Sequence, residues 1–267
     1  MREQADRVMK IANTSGKITT PIYHCPKCRD TGFIQYWKEV DGLEYEFFRE
    51  CECGLIETKR ETARKLDSNI PEKYKGLELP DFKLDFYGDD RKIATTIKSA
   101  FKGYISDFMS VGKGLYLFGK TKGTGKTRGA CIVLNELQKK GYSVKFTNSG
   151  QILQDIKDSW SERAAYERTV IDDLREIDIL LIDDFGVEKA NDWRQEQYYN
   201  IINERYMSKR VTIFTSNYDL KELENLNYDS RIISRIKESC ILLPFPGTSI
   251  RDEMAKQNQM ELRELIK

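Results

Sequence analysis

A short apolar tetrad, Leu115-Tyr116-Leu117-Phe118, runs into the glycine-rich stretch Gly123-Thr124-Gly125-Lys126-Thr127, and a helix-prone segment from Ala130 to Leu137 follows. Few folds accommodate that order. Glycines let the backbone wrap a phosphate, and the loop N–H groups and the helix N-terminus point at it. The lysine reaches the β- and γ-phosphates, and the threonine hydroxyl ligates Mg²⁺. The stretch predicts an α/β domain that holds ATP at a strand–helix junction. Gly123, Thr124, Gly125, Lys126, Thr127 and Arg128 are the candidate nucleotide-binding residues. The pattern departs from the common one at one point: Lys120 occupies the place of the usual first glycine, and Gly119 stands one residue earlier. The loop is either one residue longer than usual or opens with Lys120.

A second signal lies downstream. Ile179-Leu180-Leu181-Ile182 is a continuous apolar run, as a strand covered on both faces requires, and it ends in Asp183-Asp184. This resembles a Walker B motif, in which Asp183 binds Mg²⁺ and Asp184 orients or deprotonates the attacking water. Further strands are expected at Tyr142–Thr147, Val211–Thr215 and Cys240–Leu243. Helices are expected at Gln151–Trp160, capped by Asn148-Ser149-Gly150, and at Trp193–Tyr206. That alternation predicts a parallel sheet flanked by helices. Asn217, ending the strand after the acidic pair, is placed like the sensor 1 residue of AAA+ ATPases. Arg231 and Arg235, four apart on one helix face, look like the AAA+ box VII helix that offers an arginine finger to a neighbour's ATP. Arg235 is the first candidate and Arg231 the reserve. Arg251 stands where a sensor 2-like arginine would.

Four of the six cysteines, Cys25, Cys28, Cys51 and Cys53, fall within 29 residues. Between the pairs, Asp41-Gly42 is a turn signal, so a hairpin would bring the pairs together. Four thiolates suit a closed tetrahedral Zn²⁺ site, and in a cytosolic chain metal is favoured over disulfides; an iron–sulfur cluster or a redox pair are the alternatives. A unit of about 60 residues has little core, so the metal is expected to supply folding energy. Tyr36, Trp37, Tyr45, Phe47 and Phe48 alternate along the two strands, with one face expected to pack the unit and the other free to grip a partner protein. Cys131 and Cys240 stand in apolar surroundings and read as core residues.

The chain has 267 residues, enough for one large or two unequal domains. The expected division is a small zinc-binding β-rich unit at 1–60, a linker at 61–85 carrying Pro71 and Pro80, and a large unit at 86–267. The charged stretch from Leu55 to Leu66 is helix-prone. A net charge of +1 excludes a polybasic DNA-coating protein, and the single histidine, His24, argues against histidine-based catalysis. No apolar run long enough to span a membrane occurs, and no apolar signal core follows Met1-Arg2-Glu3-Gln4, so a cytoplasmic protein without a membrane partner is expected. Only 50 residues follow Asn217, leaving little room for a separate helical lid; the tail from Arg251 is expected to form one short helix.

Together these residues resemble the DnaC/DnaI-type bacterial and phage replicative helicase loaders, a branch of the AAA+ ATPases shared with the IstB-like transposition ATPases. The likeness is carried by Cys25-Pro26-Lys27-Cys28-Arg29-Asp30-Thr31-Gly32, Cys51-Glu52-Cys53, Ile70-Pro71-Glu72-Lys73-Tyr74 and Gly123 to Thr127. It continues through Leu181-Ile182-Asp183-Asp184-Phe185-Gly186, Ile201-Ile202-Asn203-Glu204-Arg205-Tyr206, Thr215-Ser216-Asn217 and Ser234-Arg235. The resemblance implies a P-loop AAA+ core that hydrolyses ATP with Mg²⁺, contacts single-stranded DNA and self-associates. It implies an N-terminal zinc domain that grips a hexameric DnaB-type helicase, so that the helicase is delivered onto single-stranded DNA during replication initiation. Two other readings remain. A transposition helper of the IstB type would share the core without the cysteine module. A P-loop nucleotide kinase would need a lid and phosphate-acceptor arginines.

Overall fold

The computed structural model describes residues 23–40, 42–58, 61, 68–161, 173–188 and 191–266. The chain divides into two units, Met1–Lys59 and Arg60–Lys267. No helix among the described residues is long and apolar enough to cross a membrane.

In the first unit, β1 (Phe33–Val40) and β2 (Leu43–Glu50) form an antiparallel hairpin. The pairing runs from Phe33 opposite Glu50 to Val40 opposite Leu43, which leaves a two-residue connection at 41–42. Gly42 there has φ +76°, and Asp41 lies outside the described residues. Cross-strand register sorts the aromatics. Tyr36, Phe47 and Tyr45 share one face, with Tyr36 and Phe47 stacked at 5.7 Å, and Trp37 and Phe48 share the other. The expectation that one face packs the unit is corrected here: all five rings are exposed, Trp37 at 59%. Among the described residues of the unit the hairpin is a two-stranded ribbon without an opposing layer to bury them. Among the described residues of this unit, only Cys28, Gly32, Cys51 and Ile56 are buried. Most of the stretch from Leu55 to Leu66 that reads as helical lies outside the described residues.

The larger unit contains a five-stranded sheet ordered β4-β5-β6-β3-β7, parallel throughout. Its strands are β3 (Gly114–Phe118), β4 (Val144–Asn148), β5 (Ile179–Asp183), β6 (Val211–Ser216) and β7 (Cys240–Pro244). Its helices are α1 (Arg91–Ser106), α2 (Phe108–Val111), α3 (Lys126–Lys139), α4 (Ser149–Ser161), α5 (Asp192–Met207), α6 (Leu220–Asn225), α7 (Ser230–Ser239) and α8 (Ile250–Leu265). This is the arrangement of a P-loop AAA+ core. Strand alternation divides the apolar residues between two cores. Leu115, Leu117, Ile179, Leu181 and Ile213 face α1 and α3, whereas Tyr116, Leu180, Ile182 and Phe214 face α4, α5 and α7. Having a core on each face explains why Ile179–Ile182 is apolar at every position. Cys131 and Cys240 are buried within these cores.

The stretch 61–85, read from its prolines as a linker, is corrected by the structure from Ser68 onward. Ile70 and Phe82 are buried in the core beside α1 and α3, and Tyr74, Leu77, Leu79 and Leu84 pack against it. The Ser68 carbonyl accepts the Phe146 N–H at 2.7 Å, on the outer edge of β4. Asn135 of α3 donates to the carbonyls of Tyr74 and Leu77 at 2.8 and 3.0 Å. Pro71 and Pro80 belong to short 3-10 turns, Glu72–Tyr74 and Leu79–Asp81, where a missing N–H costs nothing.

A buried arginine ties the back of the sheet together. Arg205, in α5, is 0% exposed. It donates to Thr212 Oγ1 (3.0 Å) and to the carbonyls of Leu174 (2.7 Å), Ile177 (2.8 Å) and Val211 (2.5 Å). It thereby anchors the turn before β5 to the start of β6. Replacing it by methionine strands several buried carbonyls, at about 1–3 kcal/mol each. Arg205→Met is expected to lower unfolding stability by about 3 kcal/mol or more, read from the urea midpoint; an unchanged midpoint would remove this role.

Candidate nucleotide and metal sites

The nucleotide site forms where the sheet order reverses. The chain leaves β3 for β4, at the far edge, and returns at its end to β7 on β3's other side. Loops at the C-terminal ends of strands flanking such a switch point leave a crevice for ligand. The glycine-rich loop lies there, between the end of β3 at Phe118 and the start of α3 at Lys126. The Gly119 N–H donates to the Ser216 carbonyl at 3.2 Å, beside the end of β6, and the Gly119 carbonyl faces the site. Lys120 turns out of the loop into an ion pair with Glu222 of α6 at 2.7 Å.

The loop is shaped for a close backbone approach. Gly123 and Gly125 have φ +78° and +93°, in the left-handed region that favours glycine. A Cβ on Gly123 would lie 2.8 Å from Ser249 Oγ and 3.0 Å from the Arg251 Cβ; one on Gly125 would lie 2.8 Å from the Tyr87 hydroxyl. The Arg251 N–H donates to the Gly123 carbonyl at 3.2 Å, so the first turn of α8 closes on the loop. Tyr87, buried, donates its hydroxyl to the Thr124 carbonyl at 2.9 Å. Thr124 Oγ1 is buried without a hydrogen-bond partner. An orphaned hydroxyl inside a glycine cradle at a helix N-terminus fits a bound phosphate chain.

Lys126 is buried, and its ammonium donates to the carbonyls of Gly119 (2.9 Å) and Thr121 (3.0 Å). Burial pulls its pKa down, opposed by the nearby Asp184 and Asp183 carboxylates. Thr127 Oγ1 donates to Asp183 Oδ1 at 2.8 Å, joining the loop to the end of β5. Burial holds the Asp183 carboxyl above the usual carboxylate range; the Thr215 hydroxyl pulls it down, the Asp184 charge pushes it up, and Thr127 again lowers it. Asp184 is exposed and has φ +53°, a conformation Asp tolerates better than most residues. Its carbonyl lies 3.0 Å from the hydroxyl of Ser149, the first residue of α4. One hydroxyl and one carboxylate of this set can share a divalent cation, leaving the second carboxylate beside it for water.

Other sequence candidates are placed differently. Arg128 directs its guanidinium to the Asp81 carbonyl, 3.3 Å from Nη2. Asn217 follows β6, half-buried. The residue of β6 that meets the acidic pair is Thr215, two positions earlier, whose hydroxyl lies 2.5 Å from Asp183 Oδ1. Arg231 is held by its own helix cap, Asp229, at 2.6 Å. Arg235 lies against α5, with the neutral partners Asn203 Oδ1 (2.7 Å) and the Tyr199 hydroxyl (3.2 Å). Its guanidinium stacks on the Tyr199 ring at 4.8 Å. Thr215 could have been suspected as a polar residue closing an apolar strand. Tyr87 carried no signal, because nothing local marks a residue whose partner lies 37 positions away.

In the small unit the hairpin brings the four thiols together. All four sulfurs lie within 4.8 Å of one another, with Cys25–Cys51 and Cys28–Cys53 each at 3.7 Å. A disulfide would need about 2 Å. With Zn–S bonds of about 2.3 Å, the edge of a tetrahedron is about 3.8 Å. The thiols are therefore spaced as zinc ligands are. The N–H groups of His24 and Cys25 donate to the Asp30 carboxylate at 3.0 and 2.8 Å, which braces the first knuckle and lowers the Asp30 pKa. The Cys28 backbone N–H is the main cause that brings the Cys25 thiol down to about 7.

Comparison with known proteins agrees with this geometry. The family described as "IstB-like ATP binding protein" matches residues 52–258. The replicative helicase loader DnaC of Escherichia coli (strain K12) is 29% identical over 137 residues, 51% of this chain and 52% of that protein, so the chain spans about half the length of that relative. The phage-like element PBSX protein XkdC of Bacillus subtilis (strain 168) is 27% identical over 229 residues, 82% of this chain and 80% of that one. Among solved structures, a DnaC helicase loader superposes with a TM-score of 0.58 at 23% identity, over 66% of this chain and 99% of that one, a likeness of fold.

Metal analysis of the purified protein is expected to give one zinc per chain. Cys25→Ser or Cys51→Ser should release it and unfold the small unit while the larger unit's thermal transition persists. Full folding of the small unit without metal would contradict the site.

Proposed function

The chain belongs to the IstB-like ATP binding protein family, and we propose that it is an ATP-dependent helicase loader. In this reading it binds a hexameric DnaB-type replicative helicase and delivers it onto single-stranded DNA during replication initiation, in the cytoplasm. The observation that carries the reading is a four-thiol cluster in the same chain as the Lys126–Thr127–Asp183 site. A transposition helper would need only the latter. A nucleotide kinase would need a lid and phosphate-acceptor arginines, whereas Arg128, next to the loop, turns to the Asp81 carbonyl.

Lys126 exchanges the carbonyls of Gly119 and Thr121 for β- and γ-phosphate oxygens, and the amides of residues 123–128 take the rest of the phosphate chain. Thr127 and Asp183 would hold magnesium, which when bound would supply positive charge against the charge developing on the transferred phosphoryl group. Asp184 orients the attacking water. Arg251, whose N–H already donates to the Gly123 carbonyl, adds charge in cis, and Asn217 takes the sensor role toward the γ-phosphate or the attacking water. Arg235 has no carboxylate among its named partners, whereas Arg231 is neutralised by Asp229; Arg235 is therefore the better finger for a neighbour's ATP. The exposed aromatics on both faces of the zinc-bound hairpin are the helicase-binding surface. With a net charge of +1, DNA binding needs a restricted path assembled from several copies.

A finger acting in trans requires a head-to-tail assembly. Lys126→Ala should abolish ATP turnover, and Arg235→Ala should keep ATP binding but lose DNA-stimulated turnover. Mixing Arg235→Ala with excess Lys126→Ala should restore stimulated turnover, because an intact Arg235 then meets an intact loop. No recovery at any ratio, with both proteins folded and associating, contradicts a shared site. Failure of the wild-type protein to co-purify with DnaB-type helicases contradicts the loader reading itself.

A further inference from the structure

Thr215 is fully buried in β6, between β5 and β3. A hydroxyl at such a place needs partners, and both of those it has belong to the acidic turn. Oγ1 donates to Asp183 Oδ1 at 2.5 Å and accepts the Asp184 N–H at 3.0 Å. The Thr215 carbonyl then accepts the Phe185 N–H at 2.8 Å. One residue thus grips three consecutive positions, the middle one in a left-handed conformation. Its neighbour Ser216 reaches only further along the turn, donating to the Phe185 carbonyl at 2.7 Å.

We propose that Thr215 is a positioning residue for the magnesium–nucleotide site, holding the Asp183 carboxylate and the Asp184 peptide in the arrangement that metal binding and water activation use. The inference rests on the ATPase reading above and deepens it. Thr127 places its hydroxyl on the same oxygen of Asp183. When Thr127 turns to the metal, the Thr215 hydroxyl remains on that oxygen to fix the rotamer of Asp183. Groups that orient a metal ligand typically contribute about 10–100-fold to metal affinity or activity.

Shape and hydroxyl can be separated at this position. Thr215→Val keeps the branched outline and removes the hydroxyl; Thr215→Ser keeps the hydroxyl and removes the methyl group. Each variant is titrated with mant-ATP, a fluorescent ATP analogue, with and without Mg²⁺, and ATP turnover is followed against Mg²⁺ concentration. Thr215→Val should raise the Mg²⁺ concentration for half-maximal effect by about tenfold or more in both assays. Its magnesium-free mant-ATP affinity should be unchanged, and Thr215→Ser should behave as wild type. The reverse ranking, with valine neutral and serine impaired, would show that Thr215 only fills space and would overturn the proposal. If the valine variant does not fold, Thr215→Ala against Thr215→Ser isolates the hydroxyl at equal loss of the methyl group, and equal magnesium dependence in that pair overturns it. Wild-type protein without magnesium-dependent mant-ATP binding would overturn the nucleotide reading itself; wild-type binding matched by the valine variant would overturn only the role of Thr215.

Discussion

A carboxylate taken out of water is costly unless donors converge on it, and Asp183 is placed under that constraint at the end of β5. Burial and the neighbouring Asp184 charge both favour its protonated form; the hydroxyls of Thr215 and Thr127 favour the charged one. Those hydroxyls come from β6 and from the first turn of α3. Three elements therefore meet on one oxygen, and the strand order that puts β6 between β5 and β3 is what makes the meeting possible. The glycine loop, the acidic turn and the crevice between them are all referenced to this point.

The cradle is closed by the two flanks of the larger unit. Tyr87, before α1, and Arg251, at the start of α8, close on successive residues of the loop. The flanks are also tied to each other: Thr248 donates through both its N–H and its hydroxyl to Asp90 Oδ2, at 2.9 and 2.7 Å. Loop conformation is thereby coupled to the placement of α8, whose later turns extend into solvent. The described part of the proline-bearing stretch contributes to the same end by seating Phe82 against Tyr87, ring centroids 5.7 Å apart.

The small unit solves a different problem. Among its described residues only four positions are buried, and two of them are cysteines. A cluster of thiols held by metal can replace the missing core, because metal binding supplies folding free energy that so little buried area cannot. The aromatics of both faces stay at the surface.

Local pattern was enough for the α/β class, the phosphate loop, the acidic pair, the hairpin and the four thiols. Each rests on neighbours in sequence: a strand running into glycines, an apolar run ending in Asp183-Asp184, cysteine pairs flanking a two-residue turn. Tertiary structure decided what depends on partners far apart in the chain. It packed the stretch from Ser68 to Asp85 into the core, because the apolar residues there meet α1 and α3 only after folding. It left the aromatics of both hairpin faces exposed, since no layer among the described residues covers them. It turned Lys120 to Glu222 and Arg128 to Asp81. It gave Thr215 a contact with the acidic pair, because strand register, not sequence adjacency, sets which hydroxyl of β6 faces the end of β5.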